Sequence, residues 1–331
     1  MLRDTLEILT RAFGPSGREK RAAEAVLRVT AGRGLSSRTD PMGNLILEKR
    51  GAEEGKVILF SAHLDQVGLV VTRAEKNGFL RVSPVGGLGR DLYTPRHVVF
   101  ADGTAGVVTS QPVRDREPDT DDLFVDIGAA SEQEALERVS PGDMCVYAPE
   151  LFELGDRRVA GTALDDRCGC ALLAELMCSP EPFRNTVIAL FSVQEEVGCR
   201  GSRAAAYALE PDLGIALDVT AWGDTPGTDL PDIRLGAGPA VKYMDKGVIT
   251  TPALRDEILR VAEENGIPCQ REVLPFGSND AASIQHARGG IPACTVSIPC
   301  RYCHSAAEVI DLNDLEAALR LIRCLADAEL G

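Results

Sequence analysis

The chain has 331 residues, of which 44% are hydrophobic and 26% charged, and its formal net charge is −15. This length is typical of about two domains, and the composition is that of a globular protein with a sizeable core, which excludes disordered and fibrous classes. The acidic balance argues against nucleic acid or an anionic membrane as a partner. Asp4 and Glu7 interrupt the region where a signal peptide would be apolar, so we expect a cytoplasmic protein with reduced cysteines.

The first part of the chain predicts two amphipathic helices followed by two strands, over residues 3–13, 16–31, 42–48 and 56–62. Ser16 and Glu19 have the spacing of a capping box, which places the start of the second helix at Ser16. The segment 56–62 is almost wholly apolar, which predicts a strand at the centre of a sheet.

The pattern changes between residues 68 and 156, where short β-type runs alternate with Gly, Pro and Asp turns. The predicted strands are 79–82, 97–100, 106–110, 123–127 and 144–147, with one short helix at 131–139. We interpret this stretch as a small β-rich domain inserted into a larger one. The larger domain would then consist of residues 1–67 and 157–331.

Helices and strands alternate again in the last part of the chain. The predicted helices are 165–178, 201–209, 252–265 and 311–330, the last with Asp311 as its N-cap, and the strands are 186–193, 213–219, 270–274 and 292–298. This alternation predicts an α/β fold with a mixed central sheet and helices on both faces.

Residues of metal-binding type follow the ends of several predicted strands or begin a predicted helix. They are His63, Asp165, Asp166, Glu195, Glu196, Asp218 and His304. Each acidic pair alone is more often a helix cap or a solvated loop. Together, however, they would crowd negative charge at the sheet edge where ligands collect in open α/β folds. A pair of divalent cations offsets such a charge.

The number of donors fits a two-metal site with a bridging carboxylate. Asp165 can bridge, with one His and one further carboxylate on each metal: His63 with Asp218, and His304 with Glu196. Mixed nitrogen and oxygen donors suit Zn²⁺ or Co²⁺, and also Mn²⁺. Glu195 is left without a ligand role, which suits a general base that takes a proton from the attacking water and passes it to a leaving amine.

Five segments resemble the signature segments of the M42 aminopeptidases, a family of dinuclear metallopeptidases that includes tetrahedral (TET-type) and glutamyl aminopeptidases. They are His63-Leu-Asp-Gln-Val-Gly68, Ala163-Leu-Asp-Asp-Arg167, Gln194-Glu-Glu-Val-Gly-Cys-Arg-Gly201, Ala216-Leu-Asp-Val219 and Arg301-Tyr-Cys-His-Ser305. The resemblance covers nearly the whole chain and implies the ligand set given above, with Glu195 as the catalytic base. It also implies that Asp65 supports His63 and that an unusual peptide geometry joins Asp165 to Asp166.

The resemblance further implies that the insert is β-barrel-like and makes dimer contacts, that dimers assemble into a dodecamer, and that short peptides are the substrates. Gln66 departs from the family pattern, in which Glu is frequent, and Cys199 and Cys303 replace apolar residues beside two site residues. A thiolate from Cys303 would change the metal preference. The segment Gly277-Ser-Asn-Asp280 resembles the family's Gly-Thr-Asp turn only loosely.

Three other functions remain open on the sequence alone. A metal-dependent deacylase of N-acyl amino acids would use the same metal site. A non-catalytic assembly protein would keep the fold without turnover, although all the catalytic residue types are present. A glycoside hydrolase could use Asp165 and Glu195 as its carboxylate pair, but it would leave His63 and His304 without a role.

Overall fold

The computed structural model describes residues 2–221, 223–228 and 232–331. The helices of these residues are α1 (Leu2–Thr10), α2 (Lys20–Val29), α3 (Glu132–Leu136), α4 (Leu164–Met177), α5 (Arg200–Leu209), α6 (Pro252–Glu264), α7 (Asp280–Gln285) and α8 (Leu312–Asp327). The first nine strands are β1 (Ser36–Thr39), β2 (Leu45–Lys49), β3 (Val57–His63), β4 (Gly68–Ala74), β5 (Leu80–Val85), β6 (Arg96–Phe100), β7 (Ala105–Ser110), β8 (Leu123–Asp126) and β9 (Met144–Tyr147). The later strands are β10 (Leu151–Leu154), β11 (Arg158–Gly161), β12 (Thr186–Ser192), β13 (Leu213–Thr220), β14 (Ala240–Met244), β15 (Gln270–Val273), β16 (Ala293–Arg301) and β17 (Glu308–Asp311).

A large mixed sheet forms the centre of the molecule. Its strand order is β1-β2-β12-β3-β13-β16-β17-β11-β10, and β14 pairs with both β15 and β16. The four central strands β12, β3, β13 and β16 are parallel. Their carboxyl ends therefore meet at one edge of the sheet.

Both faces of this sheet are buried, because consecutive residues of the central strands are apolar and point to opposite faces. In β3, Ile58 and Phe60 pack with α1, α2, α4, α6 and α8 on one face. Leu59 packs with α5 and α7 on the other face. The predicted α/β sandwich with helices on both faces is confirmed.

The region between β3 and β11 contains a closed six-stranded barrel with the order β4-β5-β8-β7-β6-β9. Its interior is a separate apolar cluster that includes Leu80, Val108 and Val125. All of its strands lie within Gly68 to Tyr147, whereas β10 pairs with β11 in the large sheet. The predicted barrel-like insert is confirmed as a part of the fold.

The start of α2 differs from the sequence prediction. The helix begins at Lys20 rather than at Ser16, and no side chain caps it. The Ser16 hydroxyl instead donates to Asp65 Oδ2 at 2.6 Å, and Glu19 Oε1 accepts from the backbone N–H of Gly17 (2.6 Å) and of Gln194 (3.1 Å). The predicted capping box was wrong because Ser16 binds Asp65, and Glu19 binds the N–H groups of Gly17 and Gln194. By contrast, Asp311 caps α8 as predicted, with its carboxylate accepting from the N–H of Asn313.

Among the described residues, no helix combines the length and the apolarity that crossing a bilayer requires.

Candidate metal centre

The side chains predicted from the sequence converge at the carboxyl edge of the four parallel strands. His63 is the last residue of β3, Asp218 lies near the end of β13, and Glu195 and Glu196 follow β12. His304 follows β16, and Asp165 stands in the first turn of α4. Adjacent parallel strands thus bring the residues that end or follow β3, β12, β13 and β16 together, and the start of α4 adds Asp165.

The carboxylate of Asp165 lies between two imidazoles. Its Oδ1 is 3.0 Å from Nε2 of His63, and its Oδ2 is 3.2 Å from Nε2 of His304. Each oxygen therefore faces a different histidine, which is the arrangement that a carboxylate bridging two cations needs.

Each histidine also faces one further carboxylate. Nε2 of His63 is 3.7 Å from Oδ1 of Asp218, and Nε2 of His304 is 3.2 Å from Oε2 of Glu196. Glu195 is more distant, with Oε2 4.0 Å from Nε2 of His63. The shortest contacts thus divide the donors into two half-sites that share Asp165, His63 with Asp218 and His304 with Glu196. Ligand atoms of Asp166 and of Glu196 also lie within 4.8 Å of that of His63.

Both rings are oriented by main-chain carbonyls. Nδ1 of His63 lies 3.0 Å from the carbonyl oxygen of Asp65, and Nδ1 of His304 lies 2.7 Å from that of Gly87. A carbonyl can only accept, so we assign the ring proton to Nδ1 in both residues. Once Nε2 gives up its proton, this tautomer directs the Nε2 lone pair of each ring into the centre, as metal ligation requires.

The carboxylate of Asp65 does not hydrogen-bond to the His63 ring, although the family resemblance implies that Asp65 supports this histidine. It is 3.7 Å from the His63 ring, and its oxygens accept instead from the N–H groups of Glu195 (2.9 Å) and Glu196 (3.1 Å). Asp65 therefore supports His63 through its backbone and the Glu195–Glu196 loop through its side chain.

Sequence reasoning missed Glu308, the first residue of β17. This buried carboxylate accepts from the N–H of Asp165 at 3.1 Å and from the N–H of His304 at 2.8 Å. It thereby fixes the bridging residue and one histidine at once. The signal available in the sequence was a carboxylate four residues after His304, at the start of an apolar strand.

Asp166 does not point its carboxylate freely into the centre. One oxygen accepts from the N–H of His63 at 3.1 Å and the other from the N–H of Gly169 at 3.0 Å. The peptide bond between Asp165 and Asp166 is cis, an unusual geometry of the kind that the family resemblance implied.

The loops of the centre hold several non-glycine residues in the left-handed region. These are Ala163 (φ 55°), Gln194 (φ 57°), Cys199 (φ 49°), Tyr302 (φ 60°) and His304 (φ 63°). Such conformations cost about 1–3 kcal/mol each and persist only where the surroundings enforce them. Their concentration here indicates that the surrounding structure holds these loops in unfavourable conformations, at a cost in the free energy of unfolding.

The electrostatics of the centre favour a cation. Burial and the neighbouring Asp165 raise the pKa of Glu196 to about 8, and the same two causes raise the pKa of Glu308 to about 8. Burial opposes the charged form of His304, but the hydrogen bond to Asp165 and the charge of Glu196 outweigh it and raise the pKa of this histidine to about 11. Among the described residues, Glu196 Oε1 is buried without a hydrogen-bond partner.

This donor set fits divalent metals. It offers imidazole nitrogens and carboxylate oxygens, which are the ligands of Zn²⁺ and similar ions. The unpartnered oxygen of Glu196 lies in the half-site of His304, where a cation would satisfy it.

A cavity of about 730 Å³ opens onto the centre and is lined by the donors together with Gly87, Cys199, Lys242, Phe276, Asn279, Ser283 and Cys303. Lys242 is buried and neutralised by Asp245 (3.1 Å) and Glu272 (3.2 Å). The Cys303 thiol donates to the carbonyl of Cys300 at 3.3 Å. Gln66 accepts from the buried guanidinium of Arg167 at 3.3 Å and does not line the cavity.

Comparison with known proteins shows the family of the chain. The sequence profile described as M42 glutamyl aminopeptidase matches residues 43–321. A lysyl aminopeptidase of Pyrococcus furiosus is 33% identical over 304 residues, which cover 87% of this chain and 86% of the relative.

Two solved structures extend the similarity to the fold. The aminopeptidase APDkam598 from Desulfurococcus kamchatkensis superimposes with a TM-score of 0.94 at 34% identity, covering 98% of this chain and 94% of its own. The TET1 peptidase of Pyrococcus horikoshii gives a TM-score of 0.89 at 34% identity and 99% coverage of both chains.

The fold and the site define a metal-dependent aminopeptidase, a hydrolase of peptide bonds. The chain belongs to the M42 family of aminopeptidases.

Proposed function

We propose that this aminopeptidase removes N-terminal residues from short peptides with two divalent metals, one held by His63 and Asp218 and the other by His304 and Glu196, with Asp165 shared. The observation that carries the proposal is the position of Asp165, whose two carboxylate oxygens lie 3.0 and 3.2 Å from different imidazoles. Zn²⁺ or Co²⁺ suits these donors best, and Mn²⁺ is the third candidate.

When bound, the metals would supply Lewis-acid polarisation of the scissile carbonyl and a lowered pKa for the attacking water. The chain supplies the proton transfer. Glu195 is free of a ligand role, and its Oε2 is directed towards the half-site of His63. In our proposal this carboxylate accepts the proton of the attacking water and returns it to the leaving amine.

Asp65 and Glu308 act as positioning residues in this scheme. The Asp65 carboxylate accepts from the N–H groups of Glu195 and Glu196 and so fixes this loop. From the fixed loop one side chain acts as the base and the other as a ligand. Glu308 holds the backbone of Asp165 and His304, so that the bridge and the second half-site keep a fixed spacing. Because the oxygens of both carboxylates accept hydrogen bonds from backbone N–H groups, we do not count these residues as metal ligands.

The test uses metal-stripped protein and a panel of aminoacyl-anilides, assayed after addition of Zn²⁺, Co²⁺ or Mn²⁺. We expect hydrolysis to vanish on stripping and to return with metal, while the circular dichroism spectrum persists. Full activity in a strong chelator, with no transition metal found by elemental analysis, would contradict the proposal. Faster cleavage of N-acyl amino acids than of anilides would favour the deacylase, and cleavage of oligosaccharides in chelator would favour the glycoside hydrolase.

We also propose a role for the insert, residues 68–156, as the assembly domain of a cytoplasmic oligomer, with residues 1–67 and 157–331 as the catalytic domain. Support comes from the TET1 peptidase of Pyrococcus horikoshii, described as assembling into a tetrahedron or a large octahedral shell. Light scattering of the full-length chain tests the idea. A dodecamer would have twelve times the chain mass of 35.4 kDa, and dimers would indicate partial assembly. A monomer at micromolar concentration would refute this role.

A further inference from the structure

The N–H groups of residues 193–196, a segment that follows β12 and that we call the base loop, all donate to side chains. The acceptors are Asn44 Oδ1 for residue 193, Glu19 Oε1 for residue 194, and Oδ1 and Oδ2 of Asp65 for residues 195 and 196. The distances are 2.9–3.1 Å. Every acceptor comes from residues 19–65, so the first part of the chain sets the position of the base loop.

The short segment before α2 acts on the base loop twice. Glu19 accepts from it directly, and the hydroxyl of Ser16 donates to Asp65 Oδ2 at 2.6 Å. The segment is itself anchored, because the carbonyl of Gly14 accepts from the N–H of Gln66 at 3.0 Å. Ser16 and Glu19 therefore hold the base loop from a fixed position, which is also why neither side chain caps α2.

These contacts lie away from the place where a substrate would bind. Ser16 is 5% exposed, Glu19 7% and Asp65 0%, and none of the three lines the cavity of the metal centre. Any effect of Ser16 or Glu19 on the reaction must therefore pass through the base loop.

The base loop depends on these acceptors for its conformation. Gln194, the residue directly before Glu195, has a left-handed backbone with φ 57°, which a non-glycine residue keeps only where the surroundings enforce it. Without Glu19, the N–H of Gln194 would lose its acceptor, and an unpaired buried N–H group is unfavourable. The loop would relieve both costs by moving, and Glu195 would move with it.

We propose that Ser16 and Glu19 are positioning residues for the general base, which fix the base loop so that Glu195 faces the half-site of His63. In the structure Glu195 Oε2 lies 4.0 Å from Nε2 of His63. The inference rests on the proposed function, because it takes Glu195 as the base.

The test compares Glu19→Ala and Ser16→Ala with the wild type in the full-length, metal-loaded enzyme on an aminoacyl-anilide. We expect kcat to fall about 10–100-fold, because a misplacement of about 1 Å can cost as much as about 10²-fold. KM should stay close to that of the wild type, and both metals should remain bound at saturating metal. Glu19→Gln keeps an oxygen that can accept from the same N–H groups, so it should recover most of kcat.

A double variant separates positioning from a general loss of structure. If Glu19 acts only through Glu195, the variant Glu195→Gln/Glu19→Ala should be no slower than Glu195→Gln alone, because residues that act as a unit are not additive. Two independent effects would instead multiply the two losses. Ser16→Ala, combined with Glu195→Gln, repeats the test if Glu19→Ala fails to fold.

Asn185→Ala is the matched control, because Asn185 stands directly before β12, at the end opposite the base loop. This buried side chain also binds the backbone, accepting from the N–H of Lys56 at 2.9 Å and donating to the carbonyl of Ala326 at 3.0 Å. Its loss should lower Tm and leave kcat unchanged.

Losses that multiply in the double variant would overturn the positioning role. A fall in kcat that added metal restores would overturn it as well, because the loop would then act through the ligand Glu196. Wild-type kcat in Glu19→Ala and Ser16→Ala, beside a slow Glu195→Gln, would refute the positioning role alone. Wild-type kcat in Glu195→Gln would instead refute the proposed base.

Discussion

Replacing Glu195 by Gln tests the role of Glu195 as general base while leaving the metal ligands in place. The amide keeps the size of the side chain, and its oxygen can still accept from the Cys199 thiol, which lies 3.1 Å from Oε1. The N–H of Glu195 stays bonded to Asp65. The nearest histidine nitrogen is 4.0 Å from the exchanged oxygen, so no metal donor is removed. We therefore expect both metals to remain bound and KM to stay close to that of the wild type.

The expected loss is in kcat. Removal of a positioned general base costs about 10²–10⁴-fold, which corresponds to about 2.7–5.4 kcal/mol of transition-state stabilisation at about 1.36 kcal/mol per tenfold. The control is Glu196→Gln, because Glu196 Oε2 lies 3.2 Å from Nε2 of His304. This neighbour should lose metal first and recover partly when metal is added.

Steady-state kinetics on an aminoacyl-anilide, with metal content measured on the same samples, decides between the two roles. A kcat within about threefold of the wild type in the metal-loaded Glu195→Gln enzyme would remove Glu195 from the mechanism, since loss of a base costs far more. Loss of one metal in this variant would instead make Glu195 a ligand.

Three further outcomes are expected. Asp165→Asn should reduce the occupancy of both metals, whereas His304→Ala should reduce mainly one, and elemental analysis after gel filtration would contradict the bridge if Asp165→Asn kept two. Metal should raise Tm more at about pH 8 than at about pH 6. The reason is that the ligands must lose protons to bind metal, and the pKa values of Glu196 and His304 are raised to about 8 and about 11. The metal-free protein should itself lose stability over this interval, because its native state holds more protons than the unfolded chain. Scanning fluorimetry at both pH values checks this, and a metal-induced rise that shrinks with pH would refute the reasoning. Glu308→Gln should keep the fold but lower metal affinity about 10–100-fold, as expected for a residue that orients ligands, and unchanged affinity in competition with a chelator would count against it.

The sequence allowed the centre to be predicted because its donors stand at the ends of apolar strands. The apolar run 56–62, which His63 follows, predicts a buried strand, and parallel strands in an α/β sheet bring their carboxyl ends together. The division of the donors into two half-sites matches one histidine and one carboxylate to each metal, and it stays a prediction.

The residues that support the centre could not be found in this way. Ser16, Glu19 and Glu308 accept from or donate to groups that are distant in the sequence, and no local pattern reveals such contacts. The strand β1 was missed for a related reason. All four of its residues are exposed, so no alternation marks it, and it is a strand only because β2 pairs with it.

The loop after β5 joins the barrel to the metal centre by direct contacts. The carbonyl of Gly87 accepts from the His304 ring at 2.7 Å, and a Cβ on Gly86 would stand 3.2 Å from Cβ of Glu196. The barrel thus contributes a loop to the metal centre, and it cannot be replaced by another domain without affecting His304 and Glu196. A graft that displaced this loop would remove the carbonyl that orients the His304 ring.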